Sequence, residues 1–163
     1  MRIKTFFLCL IVFALAAAAS AQTKISGTAQ CGKPDPQYAI QVGDRANHSF
    51  AISQSKCPYT KPTEIAGTQT KEFVATNFSE NSGSRATTSG FVDGTMADGD
   101  KFRVRTQGSA TTKEGVIESA EGTWSFIGGT GKLKGIKGKG TYKGKGGPEG
   151  ITYEIEGEYE LPK

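Results

Sequence analysis

The segment from Ile151 to Leu161, ITYEIEGEYEL, constrains the fold more than any other part of the chain, because apolar and polar residues alternate along its whole length. One face of an extended segment would carry an apolar set interrupted only by Gly157: Ile151, Tyr153, Ile155, Tyr159 and Leu161. The opposite face would carry Thr152, Glu154, Glu156, Glu158 and Glu160. A period of two residues predicts a β-strand with one buried and one solvated side.

Similar short alternating runs recur along the chain, and no segment after residue 22 keeps a helical period for three turns. The runs predict strands over residues 48–52, 72–78, 85–96, 101–107 and 116–127. Turn signals lie between them at residues 81–84 and 97–100, and the second contains an Asp-Gly pair that tolerates positive φ angles. This pattern indicates an all-β protein of one domain, folded as an antiparallel sandwich or barrel.

The stretch at residues 128–147, GGTGKLKGIKGKGTYKGKGG, consists of little besides glycine and lysine and raises the question of a phosphate site. It is not a P-loop, because Leu133 follows Gly131-Lys132 where serine or threonine is required. We expect the stretch to form an antiparallel hairpin with the glutamate-rich segment. The register that we predict pairs Lys143 with Thr152, Thr141 with Glu154, Lys139 with Glu156 and Lys137 with Glu158. Lysines with acidic partners favour a solvated outer face, whereas a phosphate-binding patch should be unneutralised.

Residues 1–21 have the features of a bacterial signal peptide: Arg2 and Lys4 precede an apolar run over residues 6–19 and a small-residue cleavage pattern. The run is shorter than the about 20 residues of a spanning helix. We therefore expect a signal-peptide helix that is removed on export, and a mature domain over residues 22–163 in the periplasm or outside the cell, with no membrane attachment. Cleavage takes away Arg2 and Lys4 and lowers the formal charge from +4 to +2, which argues against a nucleic-acid partner.

The cysteines fit an oxidising compartment. Cys9 lies inside the apolar run, so the mature chain would keep Cys31 and Cys57. An even pair in an exported protein predicts a disulfide, which would stabilise the fold by roughly 3 kcal/mol by restricting the unfolded chain. A shared metal ion is the alternative, and it lacks further ligands nearby.

The segment over residues 124–142, WSFIGGTGKLKGIKGKGTY, resembles the strand, glycine turn and strand of the allene oxide cyclase and dirigent-like β-barrels. It is still more similar to small exported bacterial proteins of that barrel type. The resemblance is carried by the Gly-Gly-Thr-Gly turn and its flanks, and the strand pattern agrees with it over residues 50–161. It implies a single antiparallel, up-and-down barrel of about eight strands with a central cavity. It places no catalytic residue on this chain.

Aromatic side chains on the predicted strands are candidates for lining such a cavity. We include the only histidine with them and expect the set His48, Phe50, Phe102, Trp124, Phe126, Tyr142 and Tyr153. The alternative is that these rings fill the barrel, since eight strands can enclose a space just wide enough for their own side chains. Gly138 and Gly140 on the inward face of their strand indicate either bends of the barrel or room for a bulky neighbour such as Trp124.

His48 follows Asp44 and Arg45 at the start of an alternating strand. It is a candidate acid or base oriented by Asp44. The other interpretation is a strand-entry histidine held by local hydrogen bonds, because acid–base catalysis needs a second positioned group. We expect no metal site and no cofactor, since one histidine and two paired cysteines do not supply a zinc ligand set.

These observations favour an exported barrel that binds a small, largely apolar molecule in its cavity, without enzymatic activity. A cyclase- or isomerase-like barrel enzyme is the first alternative. The second is a surface protein that binds polyanions through residues Lys132 to Lys145.

Overall fold

The computed structural model describes residues 22–113 and 116–162, and the predicted signal peptide lies outside them. The described chain is built from ten strands and one short 3-10 helix over Gly131–Leu133. The strands are β1 (Thr23–Cys31), β2 (Gln37–Gln41), β3 (His48–Lys61), β4 (Glu64–Ile65), β5 (Thr68–Ser82), β6 (Arg85–Met96), β7 (Lys101–Lys113), β8 (Val116–Gly129), β9 (Lys137–Gly147) and β10 (Gly150–Glu160).

Eight of these strands form a closed antiparallel barrel, which confirms the predicted fold class. The ring runs β1-β10-β9-β8-β7-β6-β5-β3 and returns to β1. β3 closes it, because His48–Pro58 pair with β5 while Tyr59 and Lys61 pair with β1. β2 and β4 are short additions that pair with β3 and β5.

A disulfide fastens the seam at which β1 and β3 meet, as the cysteine count predicts. Cys31 is the last residue of β1, and its Cα lies 4.1 Å from that of Cys57 on β3. Both residues are buried. Beyond Cys31 the chain leaves the ring through residues 32–36 and returns alongside β3 as β2.

The lysine-rich stretch forms the β8–β9 turn and strand β9, and its lysines on β9 are exposed. The predicted register is wrong by two residues: the structure pairs Lys143 with Glu154, Thr141 with Glu156, Lys139 with Glu158 and Lys137 with Glu160. A shift of two preserves the face of every side chain, so lysines and glutamates still lie opposite one another on the outer surface. Among the described residues, no lysine of β9 forms a close ion pair with these glutamates.

The two ends of the barrel differ. We call one the closed end; it comprises residues 62–67, the β6–β7 turn at residues 97–100 and the β8–β9 connection at residues 130–136. Here Ile65, Met96 and Leu133 are at most 2% exposed. The opposite, open end comprises residues 32–36, the β2–β3 loop at residues 42–47 and the β9–β10 turn, and its loop residues are exposed.

Candidate functional site

The barrel contains a cavity of about 650 Å³. Its base rests on the packed closed end, where Phe102 and Ile65 line it. Exposed residues border it at the other end, among them Lys33, Pro34 and Val116. The cavity therefore has a floor at the closed end and a mouth at the open end.

Rings and aliphatic side chains on β8, β9 and β10 form the wall that we call the apolar wall: Ile117, Trp124, Tyr142, Ile151, Tyr153 and Ile155. The Tyr142 and Tyr153 rings meet edge to face with centroids 5.6 Å apart. Burial raises the pKa of Tyr153 to about 12, and burial also raises the pKa of Tyr142. Both phenols are therefore neutral hydrogen-bonding groups at physiological pH.

The indole ring of Trp124 packs against glycines of β9 and β10 and is fixed by hydrogen bonds. A side chain at Gly140 or Gly157 would collide with its indole ring. The indole N–H donates to the carbonyl of Thr141 at 3.2 Å and to that of Glu156 at 3.1 Å. The inward glycine of β9 thus makes room for Trp124, as the sequence indicates.

The facing wall, on β3, β5, β6 and β7, is polar above its base. The inward residues of this wall form transverse rows across the paired strands. In the first row from the closed end, Phe73 and Phe102 lie on either side of Gly94, and in the second, Ala75 and Val104 lie on either side of Val92.

The third row is polar: Ser53 pairs with Asn77, Asn77 pairs with Gly90, and Gly90 pairs with Thr106. We call Ser53, Asn77 and Thr106 the polar row, and all three line the cavity.

The polar row has free hydrogen-bonding capacity. A side chain at Gly90 would collide with Asn77 Oδ1 and would lie 3.1 Å from Thr106 Oγ1, so the glycine leaves space for both groups. In the part of the chain that the structure describes, the side chains of the polar row donate or accept no hydrogen bond with another residue. None is sealed from solvent, so they can bond to water or to a bound molecule.

The next row continues this polar surface towards the mouth. It contains Ser79, which pairs with Thr88. The Tyr142 hydroxyl reaches over Gly108 and Gly122, and Gly108 pairs with Thr88, so one polar group of the apolar wall extends towards the other side. Of all the described lining residues, only Lys33 at the mouth carries a charge. The interior is thus polar on one side but uncharged.

Five of the seven residues predicted to line the cavity do so: Phe102, Trp124, Phe126, Tyr142 and Tyr153. His48 and Phe50 do not. Both point to the outside of β3, because the inward residues of that strand are the odd-numbered ones from Ala51 to Tyr59. The prediction that His48 and Phe50 line the cavity is therefore wrong.

His48 lies in a polar cluster on the outer surface near the open end. Its Nδ1 is 2.5 Å from Asp44 Oδ1, and its Nε2 is 3.1 Å from Glu80 Oε1. Arg45 binds the other oxygen of Asp44 at 2.6 Å. Each ring nitrogen of His48 therefore lies within hydrogen-bonding distance of a carboxylate oxygen. The hydrogen bond from His48 is the main reason that the pKa of Asp44 is lowered.

The His48 cluster joins the β2–β3 loop to β5 and has no access to the cavity. This geometry matches the strand-entry interpretation of His48. Arg103 and Arg105 also lie outside: Arg103 faces Asp93 at 3.6 Å, and Arg105 covers the Phe91 ring at 5.2 Å.

The polar row is the part of the site that sequence reasoning missed. In a strand whose residues alternate between apolar and polar, serine, asparagine and threonine ordinarily lie on the face exposed to solvent. In this protein they face the cavity of the barrel. The parity of β3 offers a signal, because a disulfide buried inside the barrel at Cys57 places Ser55 and Ser53 inward and Phe50 outward.

A scan of the chain against models of protein families finds no match, and a search of curated proteins finds no significant relative. Over the described residues, the protein has no helix with the length and hydrophobicity needed to cross a membrane. In the same part of the chain, histidine, cysteine and acidic side chains form no group of three that could hold a metal ion.

Proposed function

We propose that the protein is an exported binding protein that holds a small, largely apolar molecule inside its barrel. The observation that carries this proposal is the cavity of about 650 Å³, closed at one end and open at the other. Sites for small molecules commonly have volumes of about 300–1,000 Å³ and are lined by aromatic and aliphatic groups with a few polar ones. That geometry supports a binding role, and so does the resemblance to cavity-containing barrels.

Export is supported by the Cys31–Cys57 disulfide, since such bonds persist mainly in oxidising compartments. The features of residues 1–21 favour the same destination. The periplasm and the extracellular space both satisfy these observations.

The two alternative functions have less support. An enzyme that uses His48, Asp44 or Arg45 would need its substrate outside the barrel, since none of the three lines the cavity. A polyanion site on Lys132–Lys145 would compete with the glutamates of β10, which lie across from the lysines of β9.

Binding can be measured with N-phenyl-1-naphthylamine, a neutral apolar probe whose emission rises in apolar surroundings. We expect one probe per chain by native mass spectrometry and an accompanying change in the fluorescence of Trp124, the only tryptophan. Ala120→Phe places a ring in the cavity and should weaken binding about tenfold or more, because Ala120 lines the interior.

Thr123→Phe is the matched control, because Thr123 is exposed on the outer face of the same strand and should leave binding unchanged. A folded wild-type protein that binds no probe, or binding that Ala120→Phe leaves intact, would contradict the proposal.

A further inference from the structure

We infer that the cavity selects uncharged molecules that combine an apolar ring system with a hydroxyl or carbonyl group. This inference rests on the proposed binding function and specifies the chemistry of the ligand. Its basis is the difference between the two walls, since a purely apolar ligand would leave the polar row without partners.

Apolar surface is offered on one side only. The Tyr142 and Tyr153 rings and the side chains of Ile151 and Ile155 face the interior from β9 and β10. A flat ring system placed against them would be removed from water over one face. Each Å² of apolar surface removed from water contributes about 25 cal/mol to the free energy of binding, whatever functional group the ligand carries.

Hydrogen-bonding groups are offered on the opposite side. Asn77 supplies a carbonyl oxygen and an NH₂ group, and Thr106 supplies a hydroxyl, so the pair can donate to and accept from one ligand group. Both lean over Gly90, which concentrates them at one level of the cavity. A ligand that lacks polar atoms would displace water from these groups without replacing its hydrogen bonds.

Charge is excluded by the lining. No described lining residue below the mouth is ionised, and Lys33 is exposed at the rim. A carboxylate or ammonium group carried to the level of the polar row would lose hydration without gaining a counter-charge. The preferred ligand is therefore neutral at the depth of the polar row.

The test uses three probes with the same fused ring: pyrene, 1-pyrenemethanol and 1-pyrenecarboxylate. Their affinities are measured by displacement of N-phenyl-1-naphthylamine at pH 7. We expect 1-pyrenemethanol to bind about five- to tenfold more tightly than 1-pyrenecarboxylate, and at least as tightly as pyrene although it is the less hydrophobic molecule.

The double variant Asn77→Leu/Thr106→Val removes the polar row's two central groups. It should weaken binding of 1-pyrenemethanol by about three- to tenfold and leave pyrene unchanged or slightly tighter. Thr76→Val is the matched control, because Thr76 lies next to Asn77 on the outer face of β5. It should change neither affinity.

The possible outcomes distinguish a failure of the inferred ligand selectivity from a failure of the proposed binding function. If N-phenyl-1-naphthylamine does not bind, the proposed function itself fails. If that probe binds but 1-pyrenecarboxylate binds as tightly as 1-pyrenemethanol, or the double variant weakens all three pyrenes equally, the cavity binds apolar molecules without this selectivity and the inference is overturned.

Discussion

The closed and open ends of the barrel are held by different kinds of interaction. At the closed end, Leu133 and Met96 are each 1% exposed, and Asp100 accepts the Lys132 backbone N–H at 3.0 Å. Towards the open end, His48 contacts Asp44 and Glu80, and Cys31, which borders the exposed residues 32–36, is bonded to Cys57 within a second buried cluster. A barrel with an accessible interior cannot be packed with side chains along its whole length, so a covalent link and polar contacts add to the apolar packing on this side.

The largest expected effect concerns packing at the closed end. Leu133→Ala should lower the free energy of unfolding by about 2–5 kcal/mol, because it opens a cavity among well-packed side chains. Ile117→Ala, which removes a half-buried side chain facing the binding cavity, should cost only about 1 kcal/mol. Urea denaturation of both variants gives the comparison. Equal losses would mean that the two ends are packed alike.

A slightly smaller effect is expected for the disulfide. Replacing both Cys31 and Cys57 by alanine should lower the free energy of unfolding by about 3 kcal/mol, since the bond joins residues 26 positions apart and restricts the unfolded chain. Denaturation of the wild-type protein with and without a reductant provides the control. A double variant as stable as the oxidised wild type would show that the seam does not need the bond.

The smallest effect is a pH dependence at the His48 cluster. The pKa of Asp44 is lower in the folded chain than its usual value, mainly because His48 donates a hydrogen bond to it. The stabilisation of the folded state by ionised Asp44 is therefore fully present above about pH 4 and is lost as the pH falls through the lower pKa of the folded protein. The stability difference between wild type and Asp44→Asn should shrink below about pH 4.

The control for this last prediction is Asp35→Asn, a similar change in the exposed loop that borders the mouth. Acid denaturation monitored by circular dichroism measures each series. A difference between wild type and Asp44→Asn that stays constant from pH 6 to pH 2 would show that the cluster contributes nothing through ionisation of Asp44.

The strand pattern and the disulfide were predictable from the sequence, and the hairpin register was not. On the outer faces of β9 and β10, lysines and glutamates recur every second residue except at Thr141 and Thr152, so charges are largely complementary both in the predicted register and in one shifted by two. Charge therefore cannot choose between them. The register is set by the β9–β10 turn, in which Gly147 pairs with Gly150 and only Pro148 and Glu149 lie between the strands.

The positions of Phe50 and His48 illustrate a second limit. Sequence reasoning assigns apolar residues to the inside, yet Ile52 is 50% exposed and Phe78 is 49% exposed on the outer surface of β3 and β5. The same strands direct Ser53 and Asn77 inward. Inside a cavity that holds water or a ligand, polar side chains remain solvated, so hydrophobicity alone does not identify the buried face of these strands.

Closure of the ring has a consequence for the behaviour of the protein at high concentration. Each of the eight barrel strands has a hydrogen-bonded neighbour on both sides. In the described chain, the strands at the ends of the hydrogen-bonded order are β2, of five residues, and β4, of two. Short edges are poor templates for adding a foreign strand. We therefore expect the folded protein to resist cross-β aggregation despite its high strand content.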